Sequence, residues 1–112
     1  SHLAFKQKVV EAGEGDTRLT LKELAPVRLI KNKFYEAVED AYARCATPEQ
    51  LKELLGRARA KKGMFEGDLE EGELEIGQVS ALIHDILPAA QIVNNMVAEF
   101  RVAMEKVSGF SL

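Results

Sequence analysis

Ile92-Val93-Asn94-Asn95-Met96-Val97-Ala98-Glu99-Phe100-Arg101-Val102-Ala103-Met104-Glu105-Lys106-Val107 repeats its large apolar residues three and four apart. Ile92, Val93, Met96, Val97, Phe100, Met104 and Val107 fall on one side of a 3.6-residue helix, with Gln91, Asn95, Glu99, Arg101 and Glu105 largely elsewhere. The spacing predicts one long amphipathic helix, stopped by Gly109. Immediately upstream, Ile76, Val79, Leu82, Ile83, Ile86 and Leu87 follow the same spacing and predict a further helix, ended or kinked by Pro88.

The same period recurs towards the N-terminus. Leu29, Ile30, Phe34, Ala37, Val38 and Ala41 predict a helix from Val27 to about Cys45, with Pro26 tolerated at its start. Thr47-Pro48-Glu49-Gln50 reads as a helix start, because the Thr47 hydroxyl can accept a free backbone N–H and Gln50 can reach back to complete a capping box. Its buried stripe would be Leu51, Leu54, Leu55 and Ala58. Ser1 can cap a first helix that buries Leu3, Phe5, Val9 and Val10 and stops at Gly13 and Gly15. Thr17 to Leu21 alternates as a short extended segment would. Gly63, Gly67, Gly72 and Gly77 interrupt the next stretch so often that a helix would be costly, and Gly63 to Glu75 reads as a loop. The expected class is therefore mainly α, with five or so helices and at most one short extended segment in a single unit, residues 1–112.

Composition limits what such a unit can do. A length of 112 residues allows one modest core and no complete eight-stranded βα barrel, which takes about 250. One cysteine and two histidines make neither a disulfide scaffold nor a good zinc set, and fit a reducing, cytoplasmic setting. A formal net charge of -3 argues against a general nucleic-acid binder, and no apolar run approaches the ~20 residues of a membrane helix.

Individual residues offer little chemistry by themselves. Six carboxylates crowd Glu66 to Glu75, but counting from Asp68 puts Glu73 where a calcium loop of the helix-loop-helix type needs glycine, so a solvated acidic loop is expected rather than a metal site. His84 and Asp85 are sequence neighbours that a helix points about 100° apart, and no histidine lies four residues away to complete a metal pair. Cys45 reads as a packing or surface residue, and Phe34, Tyr35, Tyr42, Met96, Phe100 and Met104 read as core.

Two segments carry a family resemblance. Pro26-Val27-Arg28-Leu29-Ile30-Lys31-Asn32, and Glu66-Gly67-Asp68-Leu69-Glu70-Glu71-Gly72 running on to Ile76-Gly77-Gln78-Val79, resemble the C-terminal region of the FMN-dependent nitronate monooxygenases. That family was formerly called 2-nitropropane dioxygenase and includes the FMN-type enoyl-[acyl-carrier-protein] reductases. The shared pattern is V-R-x-I-K-N, then G-D-x-x-x-G followed by G-Q, with Asp16-Thr17 upstream.

The resemblance implies a larger parent in which a TIM-type barrel holds FMN and a mostly helical region covers the active site. This chain resembles that helical part. It implies FMN in the full-length parent and none bound to this chain alone, a missing N-terminal barrel portion as partner, and no activity for the 112 residues by themselves. The family's catalytic histidine belongs upstream of Ser1, and His84 lacks its motif context. Gly77 and Gln78 match the family's Gly-Gln at the flavin pocket and are the cofactor-side candidates, whereas Arg28, Lys31 and Asn32 suit a structural role. Glu75 and Ile76 stand where the reductases have Met-Ala, so the acyl-carrier substrate does not carry over. The competing reading is an independent helical interaction or oligomerisation module, which could self-associate through exposed apolar helix faces.

Overall fold

The computed structural model describes residues 1–110; Ser111 and Leu112, the end of the expected unit, lie outside the described residues. In chain order the elements are α1 (Leu3–Glu11), β1 (Thr17–Thr20), β2 (Val27–Ile30), α2 (Lys33–Ala43), α3 (Pro48–Leu55), α4 (Arg59–Met64), a 3-10 helix (Gln78–Leu82) and α5 (Ala89–Ser108). The class is mainly α, as the periodicities predict.

A small antiparallel hairpin organises the first two thirds. Thr17 pairs with Ile30, Arg18 with Leu29, Leu19 with Arg28 and Thr20 with Val27. Val27 to Ile30 is therefore a strand, where the spacing predicted the start of a helix. A four-residue run with apolar Val27, Leu29 and Ile30 satisfies either period, and the extended segment before it supplies the partner that decides for a strand. Asn32 then starts α2 as its N-cap, its Oδ1 accepting from the Tyr35 N–H at 2.9 Å.

Alternation along β2 divides the interior in two, since successive side chains point to opposite faces. Leu29 joins Leu21, Phe34, Tyr35, Val38 and Leu51 beneath α2 and α3. Ile30 joins Phe5, Val9 and Leu74 beneath α1. The Thr47 cap of α3 forms as predicted: the Gln50 N–H donates to Thr47 Oγ1 at 3.3 Å and the Thr47 N–H to Gln50 Oε1 at 2.9 Å. Of the stripe expected on that helix, Leu51 is buried and Leu54 and Leu55 are half-buried, while Ala58 lies beyond the helix and is exposed. The first helix is capped by His2 rather than Ser1, its imidazole accepting from the Ala4 N–H.

Two predictions fail for a common reason. Ile76 to Leu87 forms no continuous helix, only the five-residue 3-10 turn, and Val79, Leu82, Ile83 and Ile86 are exposed. Helices this short are held by packing an apolar face, and beyond Ile76, which packs against the α1 core, most of this face is left uncovered. α5 does form over its predicted span and ends at Gly109, yet it buries no residue. Met96, Phe100 and Met104 are therefore not core in this chain; they are exposed at 64%, 63% and 56%. Phe34 and Tyr35 are buried as expected and Tyr42 half-buried. The Cα radius of gyration, 18.2 Å, exceeds the ~13 Å of a compact domain of this length, because α5 projects from the rest.

Candidate functional site

Gly77 and Gln78 leave a strap that the acidic, glycine-rich stretch holds against β2. The Ile30 N–H donates to the Leu74 carbonyl and the Ile76 N–H to the Arg28 carbonyl, both at 3.0 Å, and Leu29 bridges to Glu75. Leu74 to Ile76 thus lies along the free edge of the hairpin. Leu74 is buried in the α1 core.

The turn before the strap is fixed by side chains of both motif segments. Asn32 Nδ2 donates to the Leu69 carbonyl at 2.9 Å and to the Gly72 carbonyl at 2.8 Å, while its Oδ1 caps α2. Asp68 Oδ1 accepts from the Glu70 and Glu71 N–H groups. These backbone donors, the Glu71 N–H foremost, hold the Asp68 carboxyl below its ordinary value, and Lys62 at 3.3 Å helps. Glu71 is likewise lowered by Lys33, 2.6 Å away. Among the described residues no group of three or more His, Cys, Asp or Glu is placed to hold an ion. Gly63, read from sequence as the start of a loop, belongs to α4, and its backbone packs directly on Gly72.

Arg59 completes this knot, and nothing in its local sequence marks it apart from the rest of the basic block. Its guanidinium donates to three carbonyls, Leu55 at 2.7 Å, Glu71 at 2.8 Å and Leu54 at 3.0 Å, and lies 4.6 Å from the centre of the Phe34 ring. It ends α3 and ties it to the acidic turn in one contact.

Glu73 is the exception among the acids, buried to 6% exposure. Burial raises its carboxyl above the ordinary value, the Glu75 carboxylate raises it further, and Arg59 offsets part of this. A carboxyl raised in the folded state favours folding when protonated, so its contribution is present below the ordinary carboxylate value and lost as pH rises through the raised one. Glu73→Gln should accordingly raise the Tm at neutral pH and lose that advantage in mild acid. Thermal unfolding of both proteins across this range checks it, and equal Tm values at neutral pH would refute it.

Beyond the strap both candidate residues are exposed. Gly77 has φ -84° and ψ 155°, which any residue adopts, and a Cβ added there would meet no atom within 4 Å. Nothing in this chain demands glycine at 77. Gln78 borders a polar depression of about 430 Å3 beside the Gly13–Gly15 turn and Arg28. Ser80, two residues on, is buried, and its hydroxyl has no hydrogen-bond partner among the described residues. The structure does not bring His84 or Cys45 into this site; both are exposed elsewhere. Lys31 is exposed, and Arg28 donates to Thr17 Oγ1 at 3.0 Å. Among the described residues no helix is long and apolar enough to cross a membrane.

Comparison with known proteins places this arrangement. Residues 1–99 match the family model described as nitronate monooxygenase. The chain superposes on the structure of FabK from Thermotoga maritima with a TM-score of 0.85 and 32% identity, over 98% of this chain and 35% of that one. For the M276A mutant of the same protein the TM-score is 0.79 and the identity 29%, over 98% of this chain and 32% of the other. No curated protein matches. The chain thus spans about a third of the length of these solved relatives. With one family model covering almost all of it and both motif segments inside that match, the chain belongs to the nitronate monooxygenase family.

Proposed function

We propose that these 112 residues are the covering region of an FMN-dependent oxidoreductase, contributing Gly77 and Gln78 to the substrate side of a flavin held by a barrel that this chain does not include. The observation that carries the reading is the pairing of family membership over residues 1–99 with an exposed glycine that no contact in this chain requires. A glycine with open space around it suits the close approach of a group from outside. Beside it Gln78 offers a neutral amide that donates and accepts without adding charge.

The residues present do not fit FMN by themselves. The depression next to Gln78 sets Glu14, Arg18, Lys22 and Arg28 around it and offers an apolar three-ring system only Leu19 and Ala81, and the 3-10 helix that follows is only five residues long. The flavin would supply the redox chemistry when bound in the complete protein. This chain's part would be to position a substrate and to exclude water.

α5 supports the same reading. Ile92, Val93, Met96, Val97, Phe100, Met104 and Val107 cover roughly 140° of the helix surface at 100° per residue, with Val102 outside that arc, which is wider than the seam of a two-stranded coiled coil. Such a face suits a broad globular neighbour, here the missing barrel, better than a second copy of the helix.

Gln78→Glu in the complete, flavin-loaded protein tests the site. A carboxylate beside the flavin disfavours added electron density, so the flavin midpoint potential should become more negative, while Gln78→Met should change it little. Equal potentials for Gln78→Glu and the parent would remove Gln78 from the flavin pocket.

A further inference from the structure

The depression of about 430 Å3 beside Gln78 has a charge balance unlike the rest of the molecule. The chain carries a net -3, with six carboxylates in Glu66 to Glu75, yet Lys22 and Arg28 line this groove, with Arg18 bordering it from the opposite face of β1, against the carboxylate of Glu14, that of Asp16 being engaged by the Gly13 N–H. The described residues form three ion pairs, Lys33 with Glu71, Lys61 with Glu66 and Lys62 with Asp68, and none uses a groove cation.

Strand geometry assigns the roles. Thr17, Leu19 and Arg28 share one face of the hairpin, opposite the face that Leu29 turns to the α2 core. Arg28 is half-buried, with Nη1 held by the Thr17 carbonyl at 3.3 Å and Thr17 Oγ1 at 3.0 Å; its other donors have no protein acceptor among the described residues. It is a guanidinium set in place with a free edge. Lys22 adds an exposed charge just beyond β1, and Arg18, on the other face of the strand, borders the groove. The Gly13–Gly15 turn also lines it, closed by the Gly13 N–H on Asp16 Oδ2 at 2.7 Å. Gly15 sits at φ +88° with no atom within 4 Å of where a Cβ would stand, and the N–H groups of Glu14 and Gly15 donate to no protein acceptor among the described residues. Unpaired backbone donors and a fixed guanidinium lining one groove are the makings of an anion cradle.

We propose that this groove binds a phosphate or diphosphate group, either free or as part of a nucleotide. It is larger than one carboxylate needs, and its donors come from two segments, the hairpin and the Gly13–Gly15 turn. The inference goes beyond the flavin reading and stands without it, because every residue invoked belongs to this chain and Gln78, which also borders the groove, is not among the anion donors named.

The test is an amide-resolved NMR titration of the 112-residue chain with sodium pyrophosphate at constant ionic strength, set beside titrations with ADP and with sodium chloride alone. Pyrophosphate should shift the Gly13, Glu14, Gly15 and Gln78 amides saturably, and chloride should not. Removing one charge of an exposed pair near 4 Å changes affinity about fivefold. Lys22→Gln should weaken pyrophosphate binding by about that factor and Glu14→Gln should tighten it. Both residues are exposed, so both variants should fold, unlike changes at Arg28, which holds Thr17. ADP binding more tightly than pyrophosphate identifies a nucleotide as the source; equal affinity identifies the phosphate group alone. No saturation by roughly 20 mM, well above a millimolar site, or pyrophosphate affinity unchanged in both variants, overturns the proposal. Loss of flavin in the complete protein would leave this result untouched, so the two readings fail separately.

Discussion

Gly72→Ala should destabilise this chain more than any other single change considered and move its urea midpoint far down. A Cβ at position 72 would stand 2.5 Å from the Gly63 amide nitrogen and in still closer collision with Gly63 Cα and the Asp68 carbonyl oxygen. All three are backbone atoms, so no side chain can rotate aside. Overpacking in an ordinary core costs about 1–3 kcal/mol, and a backbone collision at the meeting of α4 and the acidic turn should cost roughly 3–5 kcal/mol. That is a large part of the total stability of about 5–15 kcal/mol expected of a folded domain. Gly77→Ala is the control, since its Cβ would enter open space, and should move the urea midpoint little. A Gly72→Ala midpoint as close to the parent's as that of Gly77→Ala would mean that the two segments do not pack as described.

Asn32→Ala should be nearly as damaging, through lost hydrogen bonds rather than lost space. One side chain caps α2 and holds the Leu69 and Gly72 carbonyls. Losing the cap costs about 1 kcal/mol, and two half-buried carbonyls left without donors add about 1 kcal/mol or more each, so roughly 3 kcal/mol in urea is expected. Asn32→Asp separates the two roles. Aspartate caps helices as well as asparagine does, but it would turn a carboxylate oxygen towards two carbonyl oxygens. It should be at least as destabilising as alanine. A near-neutral Asn32→Asp would reduce Asn32 to a cap and detach the V-R-x-I-K-N segment from the G-D-x-x-x-G turn.

These two positions also show how far the sequence could be read. Thr47 with Gln50, and the stripe from Ile92 to Val107, were legible because a cap and a helical period are local properties. Val27 to Ile30 was not, because whether four largely apolar residues extend or coil depends on Thr17 to Thr20, ten residues away. Ile76 to Leu87 misled for the opposite reason: a perfect helical period holds no helix when most of its apolar side is left uncovered. Gly67 and Gly72 correctly signalled a break, whereas Gly63 lies inside α4, and the need for glycine at 63 and 72 is tertiary, one backbone lying on another. Asn32 and Asp68 were visible as motif letters and Arg59 only as part of a basic block; none of the three announced which carbonyls or amides it would meet. Gly77 and Gln78 are in a different position again. No local physics singles them out, and their candidacy comes from family resemblance, to which the structure adds their exposure and the open space around Gly77.

On the proposed reading, the exposed side of α5 and the open Gly77–Gln78 edge would meet a neighbour that carries the cofactor. The most direct measurement is flavin stoichiometry in two purified proteins: these 112 residues alone, and the product of the uninterrupted reading frame in which their codons lie. The 112-residue chain should be colourless and retain no FMN after gel filtration, and the longer product should carry one FMN per chain. One tightly held FMN on the 112 residues alone, or a folded full product that binds none, would contradict the account.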